Sequence, residues 1–288
     1  MIKKREEGVD IPSWSQVRVI DCGHVKEVVY VDSISDNLMK YKRISKDEML
    51  NLETGEVIEI GNSVSRRDNI KSLRVTMRKL RRLINANFEG ADNELFITLT
   101  YGEDMRDLRR LYCDFKKFYQ KLKRRYKDVE FRYIYVVEPH ESGKWHIHLL
   151  LKALNREYLF IDNDSVIWKL WGHGYTKTQR LHGVDNVGAY LSSYLTDLFD
   201  EDGRKHKGAR LYLYPAGMNI YRCSRNCRKP EERIVEYGEV DFKDYKTYEV
   251  VYGVYDDSGR CWNVIKKEFY NLKRPMRDGN TSPEGCQF

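Results

Sequence analysis

Apolar positions recur every three or four residues in some stretches of the chain and run together or alternate in others, and that contrast predicts the elements. From Ser65 to Asn85, Ile70, Leu73, Met77, Leu80 and Ile84 mark one face of a helix. From Asp107 to Tyr126 the stripe is fuller. Leu108, Leu111, Tyr112, Phe115, Phe118, Tyr119, Leu122 and Tyr126 share a face, and lysines and arginines fill the other. A further helix is predicted over Val184–Leu198 with Asp185 or Asn186 as its N-cap, and a helical stretch around Asp164–Trp171. β-Branched and aromatic runs predict strands at Glu94–Tyr101, Phe131–Glu138 and Trp145–Lys152, the last two joined by the turn-forming Pro139–Lys144, and a short strand near Tyr175–Thr178. Val17–Ile20, Val28–Val31 and Glu56–Ile60 make residues 1–64 β-rich, as Leu211–Tyr214 and Tyr245–Tyr255 do for residues 201–273. The expected architecture is α+β: a central antiparallel sheet with flanking helices over 65–200, β-rich extensions on both sides, and a disordered tail over 274–288.

Composition narrows the class. A chain of 288 residues that is 41% hydrophobic and 12% aromatic can bury a real core. No apolar run approaches the ~18 residues of a membrane span, and the charged start Met1–Glu7 lacks the apolar stretch of a secretion signal. Six scattered cysteines fit free thiols in a reducing cytoplasm, where this reading places the protein, with no membrane partner. No Walker-type phosphate loop occurs, so strand separation would fall to a host or second protein.

Charge changes the picture more by position than in total. The net charge is +7, yet Arg66–Arg82 alone carries eight basic residues and one acid, and Arg106–Lys127 ten basic residues and two acids. The rest of the chain is therefore net acidic. Two concentrated basic segments point to a polyanion, nucleic acid first; either alone reads equally as a solvated helix face. In the first, Arg66, Arg67, Lys71, Arg74, Arg78, Lys79, Arg81 and Arg82 are expected to contact phosphates.

The chemistry centres on His146-Ile147-His148. Side chains two apart on a strand share a face, so both imidazoles point one way. A turn centred near Ser142 brings Glu138 across from His146, with Cβ atoms ~5 Å apart. Two strand histidines alone read as solvated; with a carboxylate opposite they read as a metal site with open positions. Tyr190 and Tyr194, four apart on a helix, lie on one face, where they serve either as nucleophiles or as the edge of the stripe of Val187, Leu191, Leu195 and Leu198. Cys223 and Cys227 lack a second pair at zinc-finger spacing, and His173 sits in a glycine-flanked turn.

In order, Phe96-Ile97-Thr98-Leu99-Thr100, the Glu138-to-His148 hairpin and the helix Val187–Leu195 resemble the three motifs of HUH endonucleases of the rolling-circle replication initiator type, found in phages, plasmids and small circular-DNA viruses. The Tyr-x-x-x-Tyr pair is most similar to the two-tyrosine initiators of small phages, and its place downstream of the histidines differs from relaxases. The resemblance covers roughly residues 66–200. It implies a sheet with Glu138, His146 and His148 holding Mg²⁺ or Mn²⁺ on its central strands; ligand chemistry alone equally permits zinc. It further implies Tyr190 and Tyr194 as nucleophiles that nick and rejoin single-stranded DNA at a replication origin through a 5′-phosphotyrosyl bond, with host polymerase and helicase as partners. One feature departs: the family's lysine three residues after a catalytic tyrosine is Ser193 or Asp197 here, so either another basic residue assists the phosphate or only part of the motif's chemistry carries over. Three rival readings stand beside this one: a relaxase or transposase of the same chemistry, a non-enzymatic nucleic-acid-binding protein, and an unrelated metal hydrolase.

Overall fold

The computed structural model describes residues 2–32, 41–45, 48–51, 56–59, 70–140, 143–195, 214–215, 217–256 and 258–274. The tail over 274–288 and the strand expected at Leu211–Tyr214 lie, but for Arg274 and Tyr214, outside them. The chain divides into two compact units, one from Met1–Ser35 with Pro230–Phe288 and one from Asp36–Lys229. The β-rich ends of the chain thus come together in one unit, with the other inserted between them.

The first unit holds β1 (Ile2–Arg5), β2 (Gln16–Cys22) and β3 (Val25–Val31). The second holds β4 (Tyr41–Arg43), β5 (Glu48–Asn51) and β6 (Val57–Glu59), which pair as a small antiparallel sheet. Then come α1 (Ile70–Asn85), β7 (Glu94–Thr100), α2 (Leu108–Arg125), β8 (Phe131–Pro139) and β9 (Trp145–Ala153). A π-helical turn (Asn163–Ile167) leads into α3 (Trp168–Trp171), followed by β10 (Thr176–Arg180), α4 (Val187–Leu195) and β11 (Tyr221–Cys223). Back in the first unit, β12 (Glu231–Glu236), β13 (Lys246–Tyr255) and β14 (Cys261–Asn271) complete a six-stranded antiparallel sheet in the order β1-β13-β14-β3-β2-β12. That sheet covers a core of Val17, Val19, Val28, Tyr30, Phe242 and Tyr270.

The insert is organised by a five-stranded antiparallel sheet, β10-β7-β9-β8-β11. Alternation sends Ile97, Leu99, Ile147, Leu149 and Val137 to one face. Helix α2 buries Leu111, Phe115, Phe118 and Leu122 in the same core, with Phe115 4.1 Å from Tyr135 between ring centroids. Asp107 caps α2 by accepting from Arg109 N at 2.8 Å, and Lys123, Arg124 and Arg125 crowd its last turn, where the helix dipole favours cations. The other face carries Phe96, Thr98, Thr100, His146, His148 and Glu138. Its far end is pinned by the buried Glu94, which accepts from Gly90 N at 2.8 Å and Lys152 Nζ at 2.8 Å.

Helix α4 is set by α1. Asn186 caps it, accepting from Ala189 N at 2.9 Å, and Asn85 at the end of α1 accepts from Gly188 N at 2.8 Å. A Cβ at Gly188 would lie 2.6 Å from the Arg81 carbonyl oxygen, so only glycine permits this approach of the two helices. No described helix is long and apolar enough to cross a membrane. None of the five described cysteines is in a disulfide.

Candidate active site

Three adjacent strands assemble the site. In register, Thr98 and Thr100 of β7 pair with His148 and His146 of β9, and His146 pairs with Glu138 of β8. The β8–β9 turn that sets this register closes through His140 N to Lys144 O and Gly143 N to His140 O at 2.8 Å, with Gly143 at φ +83°.

Glu138 faces His146 across the ladder, but its hydrogen bond runs diagonally: Oε2 lies 2.6 Å from His148 Nε2. The far side of each ring meets a threonine. His148 Nδ1 is 3.3 Å from Thr98 Oγ1 and His146 Nδ1 is 3.1 Å from Thr100 Oγ1. A hydroxyl donates or accepts, so each threonine can hold its ring in either tautomer, and the Nε2 of His148 is turned to Glu138. Phe96 stacks on His148 with rings 5.6 Å apart and 12° between planes, and the edge of Tyr190 meets Phe96 at 6.3 Å. These contacts place α4 over the histidine face.

Tyr190 is half-buried and lines a small pocket of about 90 Å³ with Phe96, Gln179, Arg180, Leu181 and Val184. Arg180 also borders this pocket, but its guanidinium lies over the Tyr158 ring at 4.2 Å. Burial pushes the Tyr119 phenol up to about 12, and burial, helped by Asp114, raises Tyr101 further.

Not every expected site residue falls in this arrangement. The side chain of Tyr194 lies outside the described residues, although the α4 backbone carries it. Arg66 and Arg67, with the side chains of Lys71 and Arg74, are also outside them. Arg78 and Lys79 are exposed on α1, while Arg81 and Arg82 are half-buried.

One residue joins the site without having stood out in the sequence. The His140 ring lies 5.3 Å from that of His146. The parity of Glu138 and His140 was the available signal.

Among the described residues, no three His, Cys, Asp or Glu side chains are gathered as a ready cage for a metal, and Glu138 is closed on His148. The donor chemistry nonetheless fits a divalent ion. Two imidazoles turned by their Nδ1 partners and one carboxylate are a common ligand set, and the His148–Glu138 proton is one that a cation displaces.

Residues 94–199 match the model of a protein family described as replication-associated protein ORF2. The matched stretch runs from β7 into the segment after α4 and so includes every residue of the site just described. It supports a replication-associated protein of the rolling-circle type. No curated protein and no solved structure matches the chain.

Proposed function

We propose that this protein initiates rolling-circle replication as a metal-dependent nickase and joining enzyme for single-stranded DNA, of the HUH type. The observation that carries the reading is the shared sheet face: Glu138, His146 and His148 lie in register on β8 and β9, and Tyr190 reaches the same face against Phe96. The family match to this segment supports it.

In this reading Glu138, His146 and His148 hold a divalent ion, which when bound polarises the scissile phosphate. Thr98 and Thr100 keep both Nε2 atoms turned to the ion. The Tyr190 oxygen attacks phosphorus, the bond from phosphorus to the 3′-oxygen breaks, and the phenolic proton is balanced by the new 3′-hydroxyl. The product is a 5′-phosphotyrosyl bond that keeps much of the phosphodiester's free energy, so the reverse attack rejoins the strand without ATP. Tyr194, one helical turn on, is the candidate for a second nucleophile that cleaves a regenerated origin while the first tyrosine holds the 5′ end. Host polymerase would extend the free 3′ end.

The test is an SDS-resistant adduct with labelled single-stranded origin DNA. Wild-type protein is expected to form it with Mg²⁺ or Mn²⁺ and to lose it in EDTA. His146→Ala should fall by roughly three orders of magnitude, as expected when a residue integral to the reacting centre is removed. Tyr190→Phe and Tyr194→Phe should each retain nicking and the double variant none. Full activity in chelator removes the metal from the mechanism, and one dead single variant makes the enzyme a single-tyrosine nickase. An intact adduct in the double variant removes both nucleophiles.

A further inference from the structure

Strand β10 is the edge of the five-stranded sheet, paired with β7. Around this edge Tyr158, Phe160, Trp168 and Tyr175 are 58%, 64%, 52% and 65% exposed. Four large aromatics in the open, so close together in a well-packed unit, mark a binding surface more than a folding one.

Trp168 and Tyr175 line a single groove of about 570 Å³ with Asn163, Asp164, Lys177 and two threonines of β10. The groove is built rigidly. Asn163 Nδ2 donates to Thr176 O at 3.2 Å, and its Oδ1 accepts from the Thr176 and Thr178 hydroxyls at 3.0 and 3.2 Å. Asp162 caps the π-helical turn by accepting from Ser165 N at 2.7 Å. That turn buries Val166 and Ile167, and α3 after it buries Trp171 and leaves Trp168 outside. A π-turn held this way presents the indole at little entropic cost on binding.

The cations are also here. Lys169 and Lys177 are exposed, Lys121 reaches the Leu170 carbonyl at 3.3 Å, and Arg180 lies over the Tyr158 ring at 4.2 Å. Acids lie here too: Asp164 lines the groove and accepts from Asn163 at 2.8 Å, Asp162 accepts from Ser165 N, and Asp92 faces Arg180 at 4.0 Å and His182 at 3.0 Å.

The groove also leads to the active face. Thr100 N bonds Tyr175 O at 2.9 Å and Lys177 pairs with Thr98, so alternation puts Tyr175 and Lys177 on the side of Thr98, His148 and His146. Two strand spacings, about 10 Å, separate Lys177 from His148.

We propose that the β10 edge is a stacking platform for single-stranded DNA that feeds the strand onto the histidine face, bases on Trp168 and Tyr175, phosphates toward Lys169 and Lys177. The proposal rests on the nicking reading above. Single-stranded DNA is favoured because stacking on exposed aromatics needs unpaired bases, and rows of aromatics among cations accept any sequence.

The experiment measures binding of a fluorescent oligothymidylate by anisotropy, with adduct formation on origin DNA scored in parallel. Trp168→Ala and Tyr175→Ala should each weaken binding by about 5- to 150-fold, the range for loss of one stacked base. Trp168→Phe should keep most of the affinity, and the salt slope should stay unchanged because no charge is removed. Trp14→Ala and Trp262→Ala, at exposed positions of the six-stranded unit, should bind as wild type. Wild-type affinity in the Trp168/Tyr175 double variant overturns the platform and, if that variant forms adduct, leaves the nicking reading standing. Equal affinity for a duplex overturns stacking. Wild-type protein that binds no single strand and forms no adduct overturns both readings.

Discussion

The two large sheets of this protein are built alike, as antiparallel ladders with one face given to a core, and they treat polar groups in opposite ways. In the six-stranded sheet the Glu268 carboxylate is buried and saturated: it accepts from Tyr237 Oη at 3.1 Å and from Tyr270 Oη, with Lys266 Nζ at 3.3 Å and Lys246 Nζ at 3.6 Å. Burial foremost, with Glu268 second, raises the phenols of Tyr237 and Tyr270. In the five-stranded sheet the His148–Glu138 pair stays partly open to solvent, and the rings are held from behind by neutral hydroxyls. A saturated buried network fixes a structure; half-committed donors on an open face are available for chemistry. The difference lies in what surrounds each carboxylate and not in the carboxylate.

That contrast can be broken most sharply at Glu268. Replacing it with Ala removes the buried carboxylate shared by two phenols and two ammonium groups, leaves the buried Lys266 with Glu249 alone, and should cost about 3–5 kcal/mol, read as lost hydrogen-exchange protection along β13 and β14. Glu138→Ala should cost no more than about 1 kcal/mol in the same assay applied to β8 and β9. Equal losses would make the Glu138–His148 pair a structural element. A smaller effect is expected at the threonines. Thr98→Val with Thr100→Val should raise the Mn²⁺ needed for half-maximal adduct formation by about 10- to 100-fold while the unfolding midpoint barely moves. An unchanged metal requirement would mean that the rings are oriented without them.

The smallest effect concerns pH. Burial alone would raise the Glu249 carboxyl, but hydrogen bonds from Lys246 and Lys266 hold it below its usual 4.5. A depressed folded value means that this stability is present above that pH and is lost as pH falls through the folded value. Lys246, which burial would lower, is instead raised above 10.5 by Glu249 and Glu268, so its share is present below that pH and is lost as pH rises through the folded value. The six-stranded sheet should therefore weaken at both extremes, and Glu249→Gln should flatten the acid limb of its stability profile. An acid limb that is the same in the variant would assign the loss to other groups.

Local order was legible in the sequence. The apolar stripe and Asp107 marked α2 to within a residue, and Asn186 was readable as a cap because its side chain accepts from Ala189 N in the turn that follows it. The composition of the β8–β9 turn placed Glu138 opposite His146. What escaped depends on geometry between strands. Pairing register does not say that Glu138 will lean toward His148, nor that two threonines of β7 will meet the ring nitrogens. The join between β3 and β14 leaves no local mark, since the partners are far apart in the chain. Trp168 and Tyr175 read as ordinary helix and strand residues until β10 is seen to be an edge.

The interleaving of the units has a consequence for the order of synthesis. Strand β3 ends at Val31 and its partner β14 ends at Asn271, so some 240 residues must be added before the six-stranded sheet can close. At ordinary ribosome speeds that delay is roughly 10–50 s. The five-stranded sheet needs nothing beyond Cys223 and is complete earlier. The unit that carries the candidate site is thus made as a self-contained cassette, while β2 and β3 wait as an unfinished hairpin for the last strands to emerge.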